Sequence, residues 1–305
     1  MSKNCTICPR VCGVDRSKRL GFCGVGEKVI VKYVMLHHYE EPIISGDSEN
    51  GVGSGAIFFG GCNLRCEYCQ NYNLSHYAQG VEITVEQLVQ IFKSLENMGA
   101  YNINLVTPTH FTEQIIDALK IYKPNIPIVW NTSGYEKPQT IESLKGYVDI
   151  FLTDFKYFSN SAGRLSNAEN YSYYATRSIL KYREIVGLDI IENGLMKKGM
   201  IVRHLVLPNH SDDSVKILEW IEKYLGKSTI VSILNQYVPM YKACFNPLIN
   251  RKVSKLEYKR VVSKAIELGL DNSYIQEDTS ASDVFTPNFD DDNNLLYKIL
   301  KISGK

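Results

Sequence analysis

The sequence predicts an α/β fold in which six consecutive strand–helix units build a parallel sheet behind a small N-terminal cysteine-rich module. Three observations carry this expectation. From residue 56 onward, short apolar runs alternate with amphipathic segments of helical length. Seven of the eight cysteines fall into two tight clusters, four before residue 24 and three between residues 62 and 69. A Gly- and Ser-rich stretch over residues 45–55 lies between the clusters and marks a boundary. It gives residues 1–50 as a four-cysteine metal-binding module with a lead-in strand, and residues 51–305 as the main unit with a C-terminal extension.

Residues 28–35 read as the lead-in strand, being β-branched and aromatic. His37-His38 and Glu40-Glu41-Pro42 follow it. Adjacent residues of an extended chain point to opposite faces, so the two His read as a strand end running into a Pro-marked loop rather than as metal ligands. The first strand of the main unit is residues 56–60, Ala56-Ile57-Phe58-Phe59-Gly60. Thr84-Val85-Glu86-Gln87 matches a capping box and opens a helix to about residue 98. Strand 102–106 is followed by helix 112–122, and strand 127–130 by helix 140–145. Strand 148–152 leads to a long helix over residues 168–186. Strand 200–207 with helix 212–224, then strand 229–234 with helix 255–268, complete the six units.

The composition narrows the function classes. A hydrophobic content of 44% is enough for a sizeable core. Thirty-four basic against 33 acidic residues leave a net charge of +1, with no basic stripe for nucleic acid. There is no apolar signal core at the N-terminus and no run long enough to span a bilayer, so a cytoplasmic protein without a membrane partner is expected. In a reducing compartment, clustered cysteines read as metal ligands rather than disulfides.

The segment Gly60-Gly61-Cys62-Asn63-Leu64-Arg65-Cys66-Glu67-Tyr68-Cys69 places three thiols at spacings that let them converge on one metal centre. A [4Fe–4S] cluster usually takes four thiolates, so three leave one iron open to a small molecule. The alternative is zinc held by these thiols and His76. The first cluster, Cys5, Cys8, Cys12 and Cys23, suits a closed zinc site or a second Fe–S cluster. Zinc would supply folding energy to a segment without its own core, whereas Cys8-Pro9 keeps the Fe–S reading open. The remaining Cys244 reads as a small buried hydrophobe, with a hydrogen relay as the alternative.

In parallel barrels the chemistry sits at the carboxyl ends of the strands. Those ends carry Thr107-Pro108-Thr109-His110, Asn131-Thr132-Ser133-Gly134, Thr153-Asp154-Phe155-Lys156, Arg203-His204 and Asn235-Gln236. Asp154 and Lys156 alternate to one side of an extended segment, an acid and an amine facing one space.

The cysteine motif, with Tyr68 immediately before its last Cys, resembles the signature of the radical S-adenosylmethionine (SAM) family. The layout from Cys5 to Phe289 is similar to the branch related to pyruvate formate-lyase-activating enzyme. The similar segments include Cys8-Pro9-Arg10, Glu40-Glu41-Pro42, Cys69-Gln70-Asn71, Asp154-Phe155-Lys156 and the run from Arg203 to Pro208. The resemblance implies an open (β/α)6 partial TIM barrel of the radical SAM type rather than a closed eightfold one. It implies Cys62, Cys66 and Cys69 as the catalytic ligands of a [4Fe–4S] cluster whose open iron is chelated by SAM. Tyr68 would contact the adenine edge. Thr107, Thr132, Asp154 and Lys156 would hold SAM, with a monovalent cation near Asp154, while Arg203 and Gln236 line the deeper pocket. Many members carry Gly-Gly-Glu after the second strand; here Thr107–His110 offers only neutral acceptors. The implied activity is reductive cleavage of SAM to a 5′-deoxyadenosyl radical for hydrogen abstraction, with reduced flavodoxin or ferredoxin as electron donor. The implied partner is a glycyl radical enzyme. Alternatives are modification of a small molecule or peptide, and a non-enzymatic zinc protein.

Overall fold

The computed structural model describes residues 4–47, 49, 51–276, 289 and 293–302. An N-terminal loop region leads into β1 (Val29–His37), the one-turn α1 (Pro42–Ser45) and β2 (Ser54–Phe59). After the cysteine loop come α2 (Tyr72–Tyr77), β3 (Val81–Ile83) and α3 (Val85–Asn97). The alternation continues through β4 (Ile103–Val106), α4 (Thr112–Ile121), β5 (Ile128–Thr132), α5 (Pro138–Glu142) and β6 (Ile150–Asp154). Next are α6 (Asn160–Gly163), α7 (Tyr171–Val186), β7 (Ile190–Glu192), β8 (Leu195–Leu205) and α8 (Ser211–Leu225). The described chain closes with β9 (Ile230–Leu234), α9 (Lys255–Glu267), β10 (Ser273–Ile275) and α10 (Leu295–Leu300).

The sheet runs β10-β9-β8-β6-β5-β4-β2-β1-β3. The six predicted strands are β2, β4, β5, β6, β8 and β9, each parallel to the next. On one edge β10 adds a further parallel strand to β9. On the other, β1 pairs antiparallel with β2 and β3 antiparallel with β1. The result is the expected open (β/α)6 partial TIM barrel.

Some boundaries differ from expectation. The strand expected at residues 200–207 begins at Leu195, because β7 folds back on its first half through Asn193-Gly194. Both turn residues have positive φ, 51° and 77°, which matches the right-handed twist of a two-residue hairpin. The helix expected from residue 168 starts at Tyr171, because Asn167 adopts a left-handed conformation that stops the preceding 3-10 turn. The capping box at Thr84 is present in both directions.

Strand alternation sorts the side chains. Ile57, Phe59, Ile103, Leu105, Trp130, Phe151, Val202 and Ile233 face outward into the main core, against α3, α4, α7 and α8. On the inner face of β5, β6 and β8, apolar residues give way to polar ones along the strand, as in Val129–Asn131, Ile150–Leu152–Asp154 and Ile201–Arg203. The apolar lower part is closed by α1, whose Ile43 and Ile44 pack against Val129, Ile150, Leu152, Ile201 and Ile230. The segment expected as a Pro-marked loop is therefore a plug, and Pro42 at its first helical position fixes φ where no N–H is needed.

Ile44 is fully buried in that plug. Ile44→Ala should cost about 2–5 kcal/mol in urea unfolding. Ile266→Ala, at a position 68% exposed on α9, should stay within about 0.5 kcal/mol.

Candidate active site

The loop after β2 is shaped by two glycines. A Cβ at Gly60 would lie 2.7 Å from Ile30 Cγ2. At Gly61, where φ is +84°, it would lie 2.6 Å from the Cys23 carbonyl oxygen. The backbone can therefore pass tightly against the N-terminal module, and Cys62 N–H donates to Cys23 O at 3.2 Å. His110 is buried and bonds the Gly60 carbonyl through Nε2 at 2.8 Å. Burial pushes His110 down to about 3, so it is the neutral ring that donates.

Cys62, Cys66 and Cys69 line one cavity of about 280 Å³ at the carboxyl ends of the strands. Each sulfur has a polar neighbour. Leu64 N–H points at Cys62 Sγ at 3.4 Å, Ser166 Oγ–H donates to Cys66 Sγ at 2.8 Å, and Ser75 Oγ lies 3.1 Å from Cys69 Sγ. Burial, then the neighbouring Cys66, pushes the Cys69 thiol up to about 11, and burial raises Cys62 and Cys66 as well. Buried thiols of this kind become thiolates when a cationic centre takes them. Three buried sulfurs, the donors around them and the Cβ-free glycine approach all suit a cluster with one iron left open. Among the described residues, no group of three or more His, Cys, Asp or Glu side chains is placed to hold a single metal ion. His76 turns instead to Ser75, with Nδ1 2.9 Å from its hydroxyl, and its ring lies tilted against Tyr241.

The same cavity is lined by Tyr68, Thr107, Thr132, Asp154, Lys156, Arg203 and Gln236, so every sequence-predicted cofactor residue borders it. Thr107, a β-branched residue, holds a left-handed φ of 60° there, a conformation that is costly away from glycine. Its neighbours face elsewhere: Thr109 donates to Glu136 and His110 holds the cluster loop. Tyr68 borders the cavity with its ring while its hydroxyl meets Tyr157 at 2.5 Å. Gln236 Oε1 accepts from Gln276 at 3.1 Å.

Charge is organised around Arg203. Its Nε donates to Asp154 Oδ1 at 3.0 Å, Nη1 to Glu40 Oε2 at 3.0 Å and Nη2 to Asn131 Oδ1 at 2.6 Å. Lys156 Nζ donates to Asp154 Oδ2 at 2.5 Å. Burial alone would raise Asp154, but Lys156 and Arg203 outweigh it and hold the carboxyl below its ordinary range. Asp154 in turn overcomes the burial that would otherwise lower Lys156. Both Asp154 oxygens are thus engaged by cations of the chain. Glu41, the neighbour of Glu40, is fully buried and pushed up by burial against the opposing pull of Arg203.

Glu40 was not singled out from the sequence. It sits in the cavity wall and also accepts from Asn104 and Asn131 at 3.1 and 3.0 Å. Its partner Arg203 is 163 residues away, and nothing local announces the pairing. Ser166 and Ser75 also escaped notice, although Ser75 lies within six residues of Cys69. Cys244 departs from expectation: it is exposed on the 3-10 turn Tyr241–Phe245, with Sγ directed at Pro239 O rather than into a core or the cavity.

The N-terminal cysteines draw together beside the cluster loop. Cys5 N–H donates to Val14 O and Gly13 N–H returns to Cys5 O. A Cβ at Gly21 would lie 3.1 Å from Cys23 Sγ and 3.7 Å from Cys12 Sγ. Burial, with Cys23, Cys5 and Cys12 adding to it, pushes Cys8 up to about 12. Arg10 clamps the module down, donating to Asn63 O, Asn167 O and Ser166 O, and Arg65 donates back to Phe22 O.

The model of a family described as the radical SAM superfamily matches residues 56–221. An uncharacterized protein of Methanocaldococcus jannaschii, MJ0674, is 33% identical over 283 residues, covering 89% of this chain and 77% of that one. The pyruvate formate-lyase-activating enzyme of Clostridium pasteurianum is 27% identical over 171 residues, covering 53% of this chain and 65% of the enzyme. Among solved structures, Streptococcus suis SuiB bound to S-adenosylmethionine is similar with a TM-score of 0.48 at 14% identity, covering 70% of this chain. The match spans 47% of that chain's length.

Asp154 gives the site an acid limit. Its depressed value means that its stabilisation is fully present above the ordinary aspartate value of about 3.9 and is lost as pH falls through the depressed one. Asp154→Asn leaves Arg203 with Glu40 as its one remaining carboxylate and Lys156 with none, and should cost about 3–5 kcal/mol in urea unfolding at pH 7. The gap to wild type should begin to narrow below about pH 4 and close only as pH falls past the depressed value, where the folded wild-type carboxyl protonates. A gap that stays constant into acid would show that the ionised carboxylate is not what holds the site.

Proposed function

This chain belongs to the radical SAM superfamily, and from that premise we propose that it is an oxidoreductase acting by hydrogen abstraction, with Cys62, Cys66 and Cys69 as the ligands of a [4Fe–4S] cluster. The observation that supports this most directly is the meeting of three thiols with the Asp154–Lys156–Arg203 set in one cavity. Cys62, Cys66 and Cys69 would hold the cluster, and with SAM it would supply one-electron reductive cleavage to a 5′-deoxyadenosyl radical for hydrogen abstraction.

The chain's own residues bind and orient. Lys156 is a buried ammonium with spare donors for the SAM carboxylate, and Asp154 keeps it charged. Thr132 and the strained turn at Thr107 offer neutral acceptors in place of an acidic residue after β4. Tyr68, which lines the cavity, would contact the adenine edge. Arg203, held by Asp154 and Glu40, and Gln236 form the wall that the substrate meets. Phe58, Leu205 and Leu234 line the same space and exclude water from it.

The substrate reading we favour is a glycyl residue of a partner enzyme, supported by the likeness to the Clostridium pasteurianum activating enzyme. Reduced flavodoxin or ferredoxin is the proposed electron donor. We propose residues 1–50 as a module whose four thiols would hold zinc or a second Fe–S cluster, with its lead-in strand β1 and the plug α1 built into the barrel, and residues 51–305 as the radical SAM core with a C-terminal extension.

Anaerobically reconstituted protein should contain iron and sulfide and release 5′-deoxyadenosine from SAM with dithionite. Cys66→Ala should abolish that release. Lys156→Ala should retain the cluster and weaken SAM binding by about 10- to 100-fold, the loss of one charge-assisted pair. Zinc without iron in the wild type, or SAM cleavage by Cys66→Ala, would sink the assignment.

A further inference from the structure

A row of buried hydroxyls ends on the middle thiol of the cysteine loop. Ser166 Oγ lies 2.8 Å from Cys66 Sγ, Tyr157 OH lies 2.6 Å from Ser166 Oγ, and Tyr68 OH lies 2.5 Å from Tyr157 OH. Ser166 is fully buried, Tyr157 is 1% exposed and Tyr68 6%, so water does not compete for these bonds. The row closes on itself in sequence, because Tyr68 stands two residues after Cys66. Tyr157 is held edge-on by the Tyr171 ring at 5.2 Å.

The direction of the row follows from the ligand. A thiolate bound to iron carries no hydrogen, so the Ser166–Cys66 bond is donated by Ser166. Its oxygen is then free to accept from Tyr157, whose oxygen accepts from Tyr68. All three hydrogens point toward the sulfur, and each donor polarises the next. Ser75 Oγ, beside Cys69 Sγ, is placed differently: its second neighbour is the ring nitrogen His76 Nδ1, not another hydroxyl. Cys66 is the thiolate whose hydroxyl donor is backed by two more hydroxyls.

Hydrogen bonds to the sulfurs are among the factors that set the potential of an Fe–S centre. Reduction adds negative charge to the cluster and its thiolates, and a donor aimed at one of them stabilises the reduced state more than the oxidised one. We propose that Ser166, backed by Tyr157 and Tyr68, is a positioning residue that raises the reduction potential of the cluster on Cys62, Cys66 and Cys69, bringing it within reach of its electron donor. This rests on the cluster assignment made above. It adds that residues outside the cysteine motif, delivered by the loop after β6 and the turn before α7, decide how readily that cluster accepts an electron.

The experiment is an anaerobic redox titration of the reconstituted full chain, without SAM, followed by electron paramagnetic resonance. Iron and sulfide are assayed in each sample. Ser166→Ala should lower the one-electron reduction constant by about tenfold, a shift of ~59 mV to more negative potential. Ser166→Thr, which keeps the hydroxyl, should restore the wild-type midpoint. Tyr157→Phe, which keeps the packing and removes one link, should move the midpoint the same way by a smaller amount. A Ser166→Ala protein with a full cluster and the wild-type midpoint overturns the proposal. Should Ser166→Ala take up no iron, an unshifted midpoint in Tyr157→Phe overturns it, and a negative shift upholds it. A wild-type protein without iron and sulfide removes the cluster assignment itself, an outcome distinct from a loaded cluster with an unmoved potential.

Discussion

The interior of this barrel depends on Arg203 being neutralised inside the sheet. A buried guanidinium is tolerated only when every side of it is answered, and here Asp154, Glu40 and Asn131 do so from three separate segments. Two of those partners bring other parts of the structure with them. Asp154 carries Lys156, which sets the charge of the cavity wall. Glu40 is followed by Pro42, so the residue that satisfies Arg203 also delivers the plug that seals the lower barrel with Ile43 and Ile44. The floor of the cavity and the foundation of the fold are in this sense one piece.

The upper rim depends on a second close approach. Gly61 lets the cluster loop run against the Cys23 carbonyl, and Arg10 and Arg65 tie the two segments from either side. The segments carrying the N-terminal thiols and the three of the main loop are therefore packed together, joined directly by the backbone hydrogen bond from Cys62 N–H to Cys23 O. Arg10 also grips the carbonyl of Ser166, so the module helps to place the hydroxyl that faces Cys66.

How much of this was legible follows from range. The six parallel strands were readable because each is a short apolar run between helices of 3.6-residue period, and α3 because its capping box is spelled out in four consecutive residues. The cavity residues at the strand ends were readable because barrel geometry brings those ends together whatever the loops do. The short strands β3 and β10 were not, since three residues carry no period. The β7–β8 hairpin had a local signal, Asn193-Gly194 between apolar runs, that went unread. Glu40 and Ser166 had none, because each is defined by a partner 163 or 100 residues away. At α10, Asn294 bonds both Val34 N–H and Lys32 C=O of β1, a side chain imitating a neighbouring strand across some 260 positions.

The clamp made by Arg10 also has a bearing on how the chain comes together in time. Its three acceptors are at residues 63, 166 and 167, so the last of them leaves the ribosome only after more than half of the 305 residues have been made. The first cysteines emerge at once, yet the surface that shelters them is among the products of mid-chain synthesis. During translation those thiols stand in open solvent, accessible to a metal donor and to oxidants alike. Docking then buries Cys8 and Cys23 beside the finished barrel. Burial of Cys8 and Cys23 thus waits on the middle of synthesis, whereas Cys5 and Cys12 keep partial exposure in the finished fold.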